Sequence, residues 1–170
     1  MLDKKVAELI NDQINKELYS GYLYLDFSVY YEEEGLDGFA NWYKVQAQEE
    51  RDHAMLMMQY MQNNGEKITL KAIDKPNKEL NDKLKVLEYG LEHEQYVTSL
   101  IHNIYDAAYN VRDFRTMQFL DWYVKEQGEE EKNAEDLIKK MKLFGDDAKS
   151  LYMLNNEMLA RVYSAPSLQL

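Results

Sequence analysis

Hydrophobic residues recur every three or four positions along most of the chain, which is the period of an amphipathic α-helix. In the first segment Ile10, Ile14 and either Tyr24 or its neighbour Leu25 lie on one side of such a helix. Asparagines and glycines then interrupt the pattern, as they commonly do where a helix ends. The pattern predicts five helices, at about residues 3–34, 37–64, 81–109, 113–143 and 146–163.

Residues suited to helix starts precede each predicted helix. Asp3, Asp37, Asn81 and Asp113 have short polar side chains that can accept hydrogen bonds from the first free amides of a helix. Gly145 and the residue after it separate the fourth helix from the fifth. These positions favour four long helices followed by a short one.

The connections between the predicted helices differ in length. The first and second helices, and the third and fourth, are joined by a few residues, so each pair is expected to be antiparallel. Residues 66–80 lack a helical period, contain Pro76 and are long enough to cross the length of a bundle. We therefore predict an all-α four-helix bundle with one long crossover between helices 2 and 3. The short fifth helix is expected to pack outside the bundle or against another subunit. Residues 1–163 form one domain in this interpretation, and 164–170 form a flexible C-terminal tail.

Polar residues interrupt the apolar stripe of each long helix near its middle. A carboxylate facing a core is costly unless it is paired or bound to a metal. The interrupting residues are Glu17 in the first helix, Glu50 and His53 in the second, Glu94 in the third, and Gln127 and Glu130 in the fourth.

These polar positions repeat with a fixed spacing. Glu17 lies 33 residues before Glu50 and 36 before His53. In the second half, Glu94 lies 33 residues before Gln127 and 36 before Glu130. Two matched helical hairpins of this kind are the ingredients of a two-metal carboxylate site in a four-helix bundle.

The residue types indicate which metal such a site would hold. Glu50 and His53 are three residues apart, so both face one side of a helix and reach a single ion. Iron accepts carboxylate and imidazole ligands, and Glu50 is the best placed carboxylate to bridge two ions. Only one histidine is present, opposite Glu130 in the repeat, so the two ions would be held unequally. This asymmetry favours iron that passes through the site over a permanent cofactor.

Each candidate also has a plain structural interpretation. A single glutamate on a long helix is usually solvated or part of a surface ion pair, and a lone His53 is more often a core histidine. Tyr24, two turns from Glu17, is either a core tyrosine bonded to a carboxylate, which we favour, or a redox-active neighbour of the metal. A helical bundle whose internal acids pair with Lys or Arg therefore stays open as a non-enzymatic alternative.

Composition narrows the class of protein. A hydrophobic content of 45% is too high for a disordered chain, and a net charge of −11 argues against general nucleic-acid binding. Without cysteine the 170 residues contain no disulfide, zinc-thiolate site or iron–sulfur cluster. We find neither an apolar signal sequence at the N-terminus nor a run of the ~20 apolar residues that a membrane span needs. We therefore expect a cytoplasmic protein with no membrane partner.

Several motifs together resemble the ferroxidase centre of bacterial non-haem ferritins. The resemblance covers residues 1–163 and includes the Asn-x-Glu-Leu-Tyr-Ser run at 15–20, Ala-Gln-Glu-Glu at 47–50 and Trp-Tyr-Val-x-Glu-Gln at 122–127. The matching site residues are Glu17, Tyr24, Glu50-x-x-His53, Glu94 and Gln127-x-x-Glu130.

This resemblance implies a ferritin-like bundle that assembles into a hollow shell of 24 subunits. Similar proteins oxidise Fe(II) with O₂ or H₂O₂ and store a ferric mineral, and their fifth helix lines the four-fold axes of the shell. By position, three groups of residues resemble iron ligands. They are Glu17, Glu50 and His53 for a first iron, Glu50, Glu94 and Glu130 with Gln127 close by for a second, and Glu49, Glu126, Glu129 and Glu130 for a third, weaker site.

The sequence differs from a related family, the haem-bearing bacterioferritins, at two positions that bear on haem binding. Haem-bearing bacterioferritins repeat Glu-x-x-His in the second half and carry a haem-ligating methionine just before the first histidine. Here those positions are Glu130 and Asp52, so we expect no haem. A di-iron oxygenase or peroxidase with the same ligand set stays as the alternative function.

Overall fold

The computed structural model describes residues 2–170. The described chain forms five helices and contains no β-strand. Their bounds are α1 Lys4–Glu33, α2 Asp37–Asn63, α3 Lys83–Asn110, α4 Phe114–Phe144 and α5 Ala148–Leu159. The four long helices begin and end within two residues of the predicted positions. Within residues 2–170, no helix has both the length and the apolar composition needed to cross a membrane.

Two of the four predicted N-terminal capping residues, Asp3 and Asp113, cap their helices in the structure. The Asp3 carboxylate accepts hydrogen bonds from the amides of Lys5 and Val6, and Asp113 accepts one from the amide of Thr116. These bonds satisfy amides that have no partner inside the helix.

The other two caps differ from the prediction. Leu36 is the cap of α2 and makes no side-chain bond, while Asp37 is the first helical residue and its carboxylate accepts a hydrogen bond from Asn155 Nδ2 at 2.7 Å. The cap of α3 is Asp82 and not Asn81, because the Asp82 carboxylate reaches the Lys85 amide at 2.7 Å. Asp37 is thus used for tertiary packing in place of capping.

The topology is a four-helix bundle with a crossover, as predicted. Short turns at residues 34–36 and 111–113 join α1 to α2 and α3 to α4, and each pair packs closely. The crossover from 64 to 82 lies along α1, where Asn11 and Asn15 bind it. The Asn11 side chain exchanges two hydrogen bonds with the Thr69 backbone, at 2.7 and 3.0 Å. The long connection is therefore anchored on the bundle.

The interior consists of two apolar clusters with a polar layer between them. One cluster includes Phe27 and Leu137, and the other includes Ile14 and Leu120. Between them lie nine polar side chains, each at most 5% exposed. They are Gln13, Glu17, Ser20, Gln46, Glu50, His53, Glu94, Gln127 and Glu130.

Helix α5 packs on the first turn of α2. The Asn155 side-chain oxygen accepts hydrogen bonds from the amides of Gly38, at 2.8 Å, and Phe39, at 3.3 Å. A Cβ atom at Gly38 would lie 1.7 Å from the Asn155 carbonyl oxygen. This close approach requires glycine, and it allows Leu154 and Met158 to be buried against the bundle.

The C-terminal part of α5 was predicted to reach residue 163, but the helix ends at Leu159. Asn41 Nδ2 binds the carbonyl of Arg161 at 3.0 Å and lies 3.4 Å from that of Met158. The Asn41 side chain on α2 thus binds carbonyl groups that would accept hydrogen bonds within α5 if that helix were longer. Val162, inside the predicted bounds of the helix, is 80% exposed because the chain has left the helix.

The tail at 164–170, which the sequence predicts to be flexible, contacts the bundle at two residues. The Trp122 indole donates a hydrogen bond to Ser167 Oγ at 3.1 Å, and Leu168 packs against the second apolar cluster. The tail therefore lies on the surface of the bundle.

Candidate metal centre

Helices α1 and α2 bring Glu17, Glu50 and His53 together in the polar layer. Each offers one ligand-type atom, and these atoms lie within 4.8 Å of one another. His53 Nδ1 lies 3.6 Å from Glu50 Oε2 and 4.0 Å from Glu17 Oε2. Glu17 Oε2 is buried and finds no hydrogen-bond partner within residues 2–170. An orphaned buried carboxylate oxygen beside an imidazole is an unsatisfied group that a cation would satisfy.

Helices α3 and α4 contribute a second group of buried polar side chains. Tyr24 from α1 donates a hydrogen bond to Glu94 Oε1, and Gln127 Nε2 donates one to Glu94 Oε2 at 3.1 Å. Tyr24 is thus buried and bonded to a carboxylate, while a redox role for it beside a metal stays a prediction. These bonds fix the orientation of the Glu94 carboxylate.

Gln46 connects the two halves of the site, and the sequence reasoning did not select it as a site residue. Its side-chain amide donates to Glu50 Oε1 at 3.0 Å and to Glu130 Oε2 at 2.8 Å. Gln13 likewise donates to Glu17 Oε1 at 2.8 Å. Both glutamines lie one helical turn before the glutamate that they bind. A Gln-x-x-x-Glu spacing on an inward stripe was the available signal.

Two of the four residues expected at a third site come together. Glu126 and Glu130 form a second group with His53, again with atoms within 4.8 Å of one another. Glu49 is turned towards Arg161, whose Nη2 lies 2.5 Å from its Oε2. Glu129 is exposed and lies 3.5 Å from Lys125. Glu49 and Glu129 are thus outside this group.

Burial raises the pKa values of three carboxyl groups in the polar layer. Desolvation and the charge of Glu50 raise the pKa of Glu17 to about 8, and the same two causes raise the pKa of Glu130 to about 8. For the same reasons the pKa of Glu94 lies well above its usual range. In the absence of metal the Glu17 and Glu130 carboxyl groups hold protons near neutral pH.

Glu50 and His53 form the charged pair of the layer. Burial opposes the charge on both, but the bond and charge of Glu50 raise the pKa of His53 to about 10. The same contact lowers the pKa of Glu50, although burial acts in the opposite direction. Glu50 is therefore ionised beside an imidazolium.

No Lys or Arg nitrogen in residues 2–170 lies within 4.0 Å of the Glu17, Glu50, Glu94 or Glu130 carboxylates. The alternative of a purely structural bundle requires such partners for its internal acids. The described side chains therefore do not support it.

A small cavity adjoins the second half of the site. Its volume is about 20 Å³ and its lining includes Tyr24, Trp42, Glu94 and Glu130. This volume holds about one water-sized molecule.

A crossover four-helix bundle with buried glutamates and a histidine between two apolar clusters has the architecture of the ferritin-like metal proteins. The chain belongs to the ferritin family: the family model for the ferritin-like domain matches residues 7–144.

Individual relatives match nearly the whole chain. A bacterial non-heme ferritin of Staphylococcus saprophyticus is 36% identical over 163 residues, covering 96% of this chain and 98% of the relative. One from Campylobacter jejuni is 37% identical over 153 residues, covering 90% and 92%.

Solved structures agree with the fold. A closed form of Archaeoglobus fulgidus ferritin, engineered by mutagenesis, superposes with a TM-score of 0.94 at 41% identity, covering 96% of this chain and all of that one. An open pore ferritin from the same archaeon gives a TM-score of 0.92 at 42% identity, covering 95% and 98%.

Proposed function

We propose that this protein is an iron-storage protein with ferroxidase activity. It oxidises Fe(II) with O₂ or H₂O₂ inside each subunit and stores the ferric product as a mineral within a hollow shell. The observation that carries the proposal is the orphaned Glu17 oxygen beside Glu50 and His53, buried within a ferritin bundle.

In this proposal the polar layer holds two adjacent irons. Glu17, Glu50 and His53 bind the first iron. Glu50, Glu94 and Glu130 bind the second, and Gln127 holds Glu94 in place. The two oxygens of Glu50 face different partners, His53 on one side and Gln46 on the other. This orientation suits a carboxylate that bridges two ions.

The reaction balances with the groups present. Two Fe(II) ions give two electrons, and O₂ takes them with two protons to form H₂O₂. With H₂O₂ as the oxidant, two electrons and two protons give two waters. Iron binding displaces the carboxyl protons of residues such as Glu17 and Glu130, whose pKa values are raised to about 8. Those protons are available beside the metal.

A weaker third iron position, with Glu49, Glu126, Glu129 and Glu130 as its candidate ligands, belongs to the same proposal. Glu126 and Glu130 already lie together with His53. We propose no haem, because the position just before His53 is Asp52, whose carboxylate accepts a hydrogen bond from Tyr163. Iron is the substrate and the stored product.

Assembly and location are also proposed by analogy with the relatives. We propose a homo-oligomeric shell of 24 subunits, the number implied by the resemblance noted in the sequence, and the similarity to bacterial non-heme ferritins and to an archaeal open pore ferritin supports a multimeric shell. We propose that the shell acts in the cytoplasm, without membrane or nucleic-acid partners.

A di-iron oxygenase or peroxidase is the second candidate. Such an enzyme retains its metal pair, and an oxygenase also needs room for an organic substrate beside the metals. The cavity at Glu94 and Glu130 holds about 20 Å³, which favours iron itself as the substrate. Two irons that stay bound to each chain through dialysis, on a protein that elutes as a monomer or dimer, would favour the alternative.

The decisive experiment adds Fe(II) to the iron-free protein in air and follows ferric absorbance, with light scattering to size the particle. We expect rapid oxidation and a large, mineral-filled particle. His53→Ala should slow the initial rate at least about tenfold, because it removes a ligand of the first iron. His102→Ala is the matched control, since His102 is exposed on α3. Equal rates for wild type and His53→Ala would contradict the assignment of this site.

A further inference from the structure

The last eleven residues, 160–170, form a strap across α2 and α4. Tyr163 donates a hydrogen bond to Asp52 on α2, and Ser167 accepts one from Trp122 on α4 at 3.1 Å. The strap starts at the end of α5 and passes beside the carboxylates that flank the metal centre. Nothing in the proposed function uses it.

Arg161 is the residue of the strap that reaches this region. Its Nη2 lies 2.5 Å from Glu49 Oε2, and its Nη1 donates to the Trp42 carbonyl at 3.2 Å. The guanidinium also lies over the Trp42 ring, 4.1 Å from the centroid. Three kinds of contact fix the orientation of the guanidinium, which a lysine could not reproduce.

Glu49 has two competing uses. It precedes Glu50 on α2 and is one of the candidate ligands of the third iron position. His53, Glu126 and Glu130 have atoms within 4.8 Å of one another, but Glu49 is not in that group. The Glu49 and Arg161 side chains are only 19% and 15% exposed, so water screens their ion pair weakly.

We propose that Arg161 is a positioning residue that holds the Glu49 carboxylate away from the Glu126–Glu130 metal position. A cation there gains Glu49 as a ligand only by displacing the guanidinium. The strap therefore keeps the third position weak, so that iron moves on to the mineral and does not stay bound. This inference rests on the proposed function.

The test titrates Zn²⁺, which is not oxidised, into the iron-free particle and measures heat. We expect two tighter sites and one weaker site per chain in the wild type. Arg161→Gln should tighten the weakest site about tenfold, the scale of one charge-assisted hydrogen bond. The two tighter sites should change less than about twofold.

A Glu49 variant tests whether the tighter binding in Arg161→Gln comes from release of the Glu49 carboxylate. In a Glu49→Gln background, Arg161→Gln should no longer tighten the weakest site, because the ligand that it releases is gone. Arg161→Lys keeps the charge but loses the paired geometry, so its affinity should lie between wild type and Arg161→Gln. Lys140→Gln is the matched control, since it removes a cation whose ion pair, at 2.5 Å, is with Glu157 on α5.

Two results would overturn the inference: an unchanged weakest site in both Arg161 variants, or an undiminished gain in the Glu49→Gln background. Failure of the proposed function gives a different result, which is the absence of rapid Fe(II) oxidation by the wild type in the ferric-absorbance assay. The Arg161→Lys variant keeps the test decisive if Arg161→Gln does not assemble.

Discussion

Gln46 Nε2 lies 2.8 Å from Glu130 Oε2, and this bond joins α2 to α4 across the polar layer. The same amide group donates to Glu50 at 3.0 Å. One neutral side chain thus satisfies two buried carboxyl groups without contributing any charge. A lysine in its place would neutralise an acid that the metal needs.

We expect Gln46→Leu to lower the free energy of unfolding of the metal-free protein by about 2 kcal/mol, because two buried acceptors lose their donor. Iron oxidation should also slow, since both carboxylates lose their fixed orientation. Chemical denaturation and the initial rate of ferric absorbance measure the two effects. Gln59→Leu, exposed on the same helix, should change neither. Unaltered stability and rate in Gln46→Leu would show that the bridge is dispensable.

The metal-free protein should lose stability as the pH rises from about 5 to 9. The pKa values of Glu17 and Glu130 are about 8 in the folded chain, against 4.5 for an ordinary glutamate, so the folded state binds more protons in that window. His53, with a pKa of about 10 against 6.5, acts in the same direction. Glu50 has the opposite shift, and its contribution is lost only as the pH falls through its lowered pKa, below 4.5.

Thermal unfolding across this pH range measures the effect, which should lower Tm by roughly 5 °C or more if about 2 kcal/mol is lost. Excess Zn²⁺ should reduce the decline, because a bound cation replaces the protons. A metal-free Tm that rose steadily from pH 5 to pH 9 would contradict the assigned shifts.

Glu17→Gln and Glu50→Gln should change metal-free stability in opposite directions at pH 8. Glu17 carries an unsatisfied oxygen and suffers the charge of Glu50, so its neutral replacement should raise Tm. Glu50 faces the His53 imidazolium at 3.6 Å, so its replacement should lower Tm. Differential scanning calorimetry distinguishes them. Both variants should oxidise iron slowly, and a fall in Tm for both would show that Glu17 Oε2 has a structural partner.

Gly38→Ala should destabilise the attachment of α5 by about 1–3 kcal/mol, because the new methyl group would overlap the Asn155 backbone. Gly128→Ala is the control: it lies in α4 with open space around its Cβ position, where alanine favours the helix. Thermal unfolding should give a lower Tm for the first and an equal or higher Tm for the second. If Gly38→Ala matched the wild type, α5 would not depend on this contact.

The sequence predicted the structure well where hydrophobic residues recur with a regular period. The 3.6-residue period located the long helices, and acids on an apolar stripe located the buried layer. The same period could not decide between Tyr24 and Leu25. Tyr24 is buried and Leu25 is 47% exposed, a difference set by packing between helices. Gln46 was passed over as a site residue because an uncharged amide carries no strong signal of metal chemistry.

Contacts between residues that are far apart in the sequence could not be predicted, for a different reason. Arg161 and Glu49 are 112 positions apart, and nothing in the local pattern of either segment indicates the other. The end of α5 and the course of the strap depend on such contacts, including the bonds from Asn41. The prediction that α5 reaches residue 163 was therefore wrong, because the local hydrophobic period does not indicate the contacts that end the helix at Leu159.

The division of the interior into two apolar clusters has a consequence for engineering. The clusters share no residue, so Phe27 can be repacked at one end without altering the neighbours of Leu120 at the other. Each end of the bundle can thus be redesigned separately, but Phe27 packs edge-on against Tyr24, which bonds Glu94, so a change of ring size there would also reach the chemistry in the middle.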